Sequence, residues 1–90
     1  MKSYLVTFVL YKEEEDYNQI VEMIKSYNKW ARIHLHAWVI DTDKAATEVR
    51  TEIRESISNR CLLFVIDVTG AGWGSYGIPD TVAEWLKKNL

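Results

Sequence analysis

The sequence predicts a single α+β domain whose elements run β-α-β-β-α-β, with one further short helix at the end. Three observations carry that expectation. The runs "SYLVTFVLY" and "RCLLFVIDVTG" are apolar in both alternation phases, as strands covered on two faces are. Two intervening stretches repeat apolar residues at helical spacing. Between those stretches, residues 32–40 alternate like a strand but change phase midway.

Taken in order, the first strand covers residues 3–11. Tyr4, Val6, Phe8 and Leu10 point one way, and Leu5, Val9 and Tyr11 the other, with Thr7 the lone polar member. "KEEED" breaks the strand, and Asp16 and Gln19 have the spacing of a capping box for a helix over 16–28. Tyr17, Ile20, Val21, Ile24 and Tyr27 form its apolar stripe. Ile33 and Leu35 then share one face while Trp38 and Ile40 take the other parity. That slip predicts two short strands, or one strand with a bulge near His36. Asp43 is placed to cap a second helix over 44–58, with Ala46, Val49, Ile53 and Ile57 as its stripe and Glu48, Glu52, Glu55, Arg50 and Arg54 on a solvated face. The fourth strand follows. Thr81 and Glu84 form another capping box near Pro79, opening a last helix whose apolar side is Val82, Trp85, Leu86 and Leu90.

This order is the split-βαβ, ferredoxin-like arrangement, an antiparallel sheet with two helices on one face. Right-handed crossovers set strand one between strands three and four. Ninety residues, 1–90, form one domain, too short for two cores. The second face of strands one and four is also apolar, and the last helix covers only part of it. A second copy of the chain is expected over the rest, against Leu5, Thr7, Val9, Leu63 and Val65.

Composition narrows the function. A net charge of −2 argues against a strong non-specific nucleic-acid binder, which needs many Lys and Arg on phosphate. Contact with RNA or DNA then requires a local basic stripe or a metal. The single cysteine, Cys61, excludes an internal disulfide and fits a reducing cytoplasm, with a small buried hydrophobe as its role. The apolar N-terminus lacks a small-residue cleavage site and reads as the first strand, not a signal peptide. No run approaches the roughly 20 apolar residues of a membrane span.

"GAGWGSYG" holds all four glycines of the chain. Its "GWGSYG" matches G-x-G-x-x-G, but the dinucleotide fingerprint also needs a following strand and an acidic residue about 20 positions further on, and residues 78–90 hold neither. The loop therefore reads first as a chain reversal that folds Trp73 and Tyr76 against the sheet, with positive φ supplied by glycine. A small-anion site on Gly70, Gly72, Trp73, Gly74, Tyr76 and Gly77, at the start of the last helix, is the alternative.

His34 and His36 are two apart and would share a strand face, a metal-ligand spacing, yet no third ligand adjoins them. Half-exposed strand histidines are the plainer reading. Asp41 and Asp67 end the third and fourth strands, two strand spacings apart, roughly 9–10 Å, too far to share an ion. Residues 12–16 read as an acidic solvated loop. Trp30, Trp38, Trp73 and Trp85 are base-stacking candidates in type, but a domain this small needs most of them in its core. No Ser-His-Asp, zinc or P-loop signature occurs.

"KSYLVTFVL", "DYNQIVEMIKSYNKWARI", "HAWVI", "CLLFVIDVTGAGWGSYG" and "AEWLKKNL" together resemble small bacterial proteins labelled SinR-like. These are similar to the small ferredoxin-like CRISPR adaptation subunit, of the CRISPR-associated endoribonuclease family, and to VapD toxins. The resemblance spans nearly the whole chain and rests on element order, Trp30, Trp38, the T-G-x-x-W-x-x-aromatic-G segment at 69–77 and the E-W-L-K ending. It implies a homodimer and, in catalytic relatives, metal-dependent nuclease chemistry on an aspartate late in strand one. Val9 stands at that position here and cannot hold Mg²⁺, a hard cation that needs oxygen ligands. The regulator label finds no helix-turn-helix pattern to support it.

The expectation is thus a non-catalytic homodimeric scaffold or regulator of the CRISPR-adaptation and VapD-like type, touching nucleic acid or a protein partner and needing no cofactor. One alternative is a Mg²⁺- or Mn²⁺-dependent endoribonuclease with its carboxylates moved to residues 13–16. Another is a small-anion-binding protein using the glycine loop.

Overall fold

A computed structural model describes residues 1–90. The chain forms β1 (Lys2–Leu10), α1 (Glu13–Lys25), β2 (Lys29–His34), β3 (Ala37–Thr42), α2 (Ala46–Glu55), β4 (Cys61–Asp67) and α3 (Asp80–Asn89). The four strands make one sheet in the order β2-β3-β1-β4, antiparallel at every step. This small α+β architecture is consistent with the ferredoxin-like arrangement. No helix is long and apolar enough to cross a membrane.

The core lies between the sheet and the first two helices. Alternation puts Tyr4, Val6, Phe8 and Leu10 of β1 on one face beside Trp38 and Ile40 of β3. Ile20, Ile24 and Tyr27 descend on them from α1 and its C-terminal end. Val49, Ile53 and Ile57 do the same from α2 and the turn after it. Both helical stripes read from the sequence are therefore the buried ones.

Several boundaries moved, each for a local reason. α1 begins one turn earlier than an Asp16 cap would place it, because Glu13, Glu14, Glu15 and Asp16 suit the positive end of a helix dipole. Asp16 is then inside the helix and buried, so it caps nothing. Asp43 does not cap α2 either; its carboxylate lies 3.7 Å from the N-terminal amine. Glu48 instead reaches back to accept from the Ala45 N–H at 3.1 Å, half of a capping box. α3 starts behind Pro79 with no side-chain cap, and Glu84 pairs with Lys87 at 3.9 Å rather than with the helix start.

The phase slip resolves as two strands. β2 and β3 form a hairpin closed by Leu35 and His36, and the register shifts between Arg32 and His34. The bulge sits at Ile33, not near His36. No residue except Gly70 and Gly77 has positive φ, so this two-residue turn is not of the mirror-image type that matches strand twist unaided. An extra residue in β2 accommodates the mismatch. Trp38 Nε1–H donates to the Leu35 carbonyl at 3.3 Å and braces the turn.

α3 and the loop before it fold over the second face. Leu5, Ile33, Val39, Trp73, Leu86 and Leu90 surround an apolar cavity of about 200 Å³ there. The cover reaches β2, β3 and the first half of β1. It stops short of β4.

Candidate functional site

Three surfaces compete for the functional role. The first is the uncovered part of the second face. Register pairs Val6 with Val65 and Phe8 with Leu63, so Leu63 and Val65 point toward the helices and pack against the core. The sequence expectation that these two face a second copy is corrected. β4 is apolar in both phases, and only its pairing with β1 tells which phase is outward. The outward residues are Leu62, Phe64 and Ile66, exposed by 57%, 59% and 42%, with Val9 beside them at 51%. Thr7 is half-buried and Leu5 lies under α3. The outward positions of β1 and β4 carry no charge, and β4 is a free sheet edge.

The second surface is the glycine loop. Gly70 and Gly77, at φ 71° and 83°, supply the reversal, while Gly72 and Gly74 need no left-handed conformation. Trp73 contributes to the 200 Å³ cavity, but Tyr76 stands fully in solvent instead of folding onto the sheet. The cavity wall contains no Lys, Arg or His, and Asp80 occupies the first turn of α3. An anion there would meet apolar surface and a carboxylate.

The carboxylates and histidines do not assemble a metal centre. Glu13 lies 2.6 Å from His36 Nε2, whose ring stands edge-on to Phe8 and Tyr17. Asp16 is only 2% exposed and accepts from Asn59 Nδ2 at 3.3 Å, with Oδ2 unpartnered. Glu14 and Glu15 face solvent. His36 belongs to the hairpin turn, and its N–H donates to His34 Nδ1 at 3.2 Å, so the pair does not share a strand face. Val9 faces its neighbour Leu62 across the ladder, with no oxygen ligand in the pair. No group of three or more His, Cys, Asp or Glu converges as metal ligands.

Asp41 and Asp67 flank β1 as expected and act locally. Asp41 is buried and accepts from Ser3 Oγ at 2.6 Å. Asp67 accepts the Thr69 N–H at 2.9 Å, and Thr69's hydroxyl and N–H hold its carboxyl below the usual range. Cys61 is half-buried against the core.

The third surface is a groove of about 670 Å³ around the free edge of β2. Trp30 and Arg32 reach it from the helix side of the strand, joined by Lys25 at the end of α1. Trp85 approaches from α3 on the other side, and His34 also lines the groove. The sequence nominates Trp30, Trp85 and His34 singly. Nothing in it brings α3 beside β2, so their grouping is visible only in the folded chain.

No protein-family model, curated protein or solved structure matches the chain.

Proposed function

We propose that the chain is a non-catalytic homodimeric module of the CRISPR-adaptation and VapD-like type, a ferredoxin-like scaffold or regulator that holds a nucleic acid or protein partner. One observation carries this reading: the strip Val9, Leu62, Phe64 and Ile66 stays in solvent although the chain has a helix to spare for that face. A second copy is the occupant that the strip suits. In a two-fold interface the same patch meets itself, and an uncharged apolar patch is complementary to its own copy. Each such side chain removed from water contributes about 1.5–3 kcal/mol when fully buried. The free thiol of Cys61 suits a reducing compartment.

Sedimentation velocity tests the assembly. The wild-type chain is expected as a dimer, and Phe64→Asp as a folded monomer with unchanged far-UV circular dichroism. A wild-type monomer at the highest concentration reached would overturn the reading. Incubation of labelled single- and double-stranded RNA and DNA with Mg²⁺ or Mn²⁺ tests the chemistry, with intact substrate expected. Chelator-sensitive cleavage that disappears in Glu13→Gln or Asp16→Asn would show an enzyme instead.

A further inference from the structure

We propose that the groove around the free edge of β2 binds single-stranded nucleic acid, with Trp30 and Trp85 stacking bases and Lys25 and Arg32 meeting phosphates. The proposal deepens the partner half of the function above by naming a ligand class and a place. It does not depend on the dimer.

The chain is acidic overall, with 13 Asp and Glu against 11 Lys and Arg, yet no carboxylate lines this groove. Its charged side chains are Lys25 and Arg32, and neither belongs to an ion pair within the fold. Lys25 Nζ lies 5.1 Å from the Trp30 ring centroid, so a cation and an aromatic face are offered side by side. Trp30 is 38% exposed, although its other neighbour is the core residue Trp38, 5.7 Å away between centroids. Arg32 follows Trp30 by two residues on the same strand face. His34 Nδ1 accepts a backbone N–H, which leaves Nε2 as the ring nitrogen free to donate.

Ring faces and positive charge in alternation are what an unpaired strand requires. A base stacks on an aromatic side chain whatever its identity, and the adjoining phosphate meets a cation. A duplex keeps its bases stacked inside and offers these rings no face. With two cations on phosphate, the expected salt dependence is modest, a log–log slope of about −1.4 for a single strand. Weak, local, salt-sensitive binding is compatible with the acidic net charge.

The four indole N–H signals of the ¹⁵N-labelled full chain provide the test, assigned by single Trp→Phe variants. On titration with a mixed-sequence single-stranded oligonucleotide, the Trp30 and Trp85 signals are expected to shift while Trp73 stays in place. Trp30→Ala is expected to weaken binding about tenfold or more. Lys25→Glu with Arg32→Glu, both surface changes that leave the core intact, is expected to abolish binding. The proposal is overturned by unmoved Trp30 and Trp85 signals, or by binding that survives the charge reversals. It is equally overturned if a duplex or a mononucleotide binds as tightly as the strand, or if only an acidic aromatic peptide moves the signals. Occupancy is scored per chain, so a monomeric protein that binds the strand refutes the dimer alone.

Discussion

Asn59 makes the one hydrogen bond that the buried carboxylate of Asp16 receives in the fold, which sets its value above that of an ordinary half-exposed amide. Removing a single partner strands a buried acceptor, a larger loss than the net worth of the bond. Asn59→Ala is expected to cost about 1–3 kcal/mol in urea unfolding. An unchanged midpoint would show that Asp16 has no need of its partner. Glu52 is the complementary case at the surface. It accepts from Lys44 Nζ at 2.5 Å and from the Tyr27 hydroxyl at 2.7 Å, and Lys44 foremost, then Tyr27, holds its carboxyl below the usual range. A lowered folded value means stabilisation that is present above the unfolded carboxylate value and lost as pH falls through the folded one. Glu52→Gln is therefore expected to be less stable than wild type at pH 7 by no more than about 1 kcal/mol, with the gap closing in acid. A gap that persists at low pH would mean the ionised carboxylate is not what matters. Tyr27 is shifted in the opposite sense: burial first, then the Glu52 carboxylate, raises its phenol. That contribution is lost as the solution rises past the ordinary phenol value of about 10.

Among the helices, α3 is the one with the fewest fully buried residues. Leu86 is its single fully buried residue, seated over the second face beside Leu5 and Val39. Leu86→Ala is expected to cost about 2–5 kcal/mol and to raise binding of an apolar dye as the face opens. Undiminished stability with no dye binding would mean that α3 is not what covers that face. The elements also show what periodicity can and cannot reveal. The stripes of α1 and α2 were legible because a soluble helix has one oily side, and a phase slip reads as a hairpin because alternation cannot change parity within one regular strand. Caps were misread. Asp16, Asp43 and Thr81 have capping side chains at plausible positions, but a cap is chosen by where the backbone turns, and packing moved those turns. Leu63 and Val65 face the helices rather than solvent, which periodicity hides for a related reason, since a strand apolar on both sides carries no parity signal of its own.

For the whole molecule, the sheet order places the two proposed surfaces apart. The apolar strip lies on β4 at one edge and the tryptophan groove follows β2 at the other, with β3 and β1 between. Contacts that share no partner are expected to act independently. Phe64→Asp should leave strand binding unchanged, and Lys25→Glu with Arg32→Glu should leave the sedimentation of the dimer unchanged. A variant that abolished both properties would place dimer and ligand in one site.

By itself the sequence determined the kinds of elements, their order and the one-domain size, because those follow from local spacing of apolar residues and from turn chemistry. Its net charge of −2 also argued against a strong non-specific nucleic-acid binder. Only the tertiary structure decided which side of β4 is wet, how far α3 reaches, and that Trp30 and Trp85 line one groove at a strand edge. Those facts depend on register and on contacts between residues distant in the chain, which no local pattern encodes.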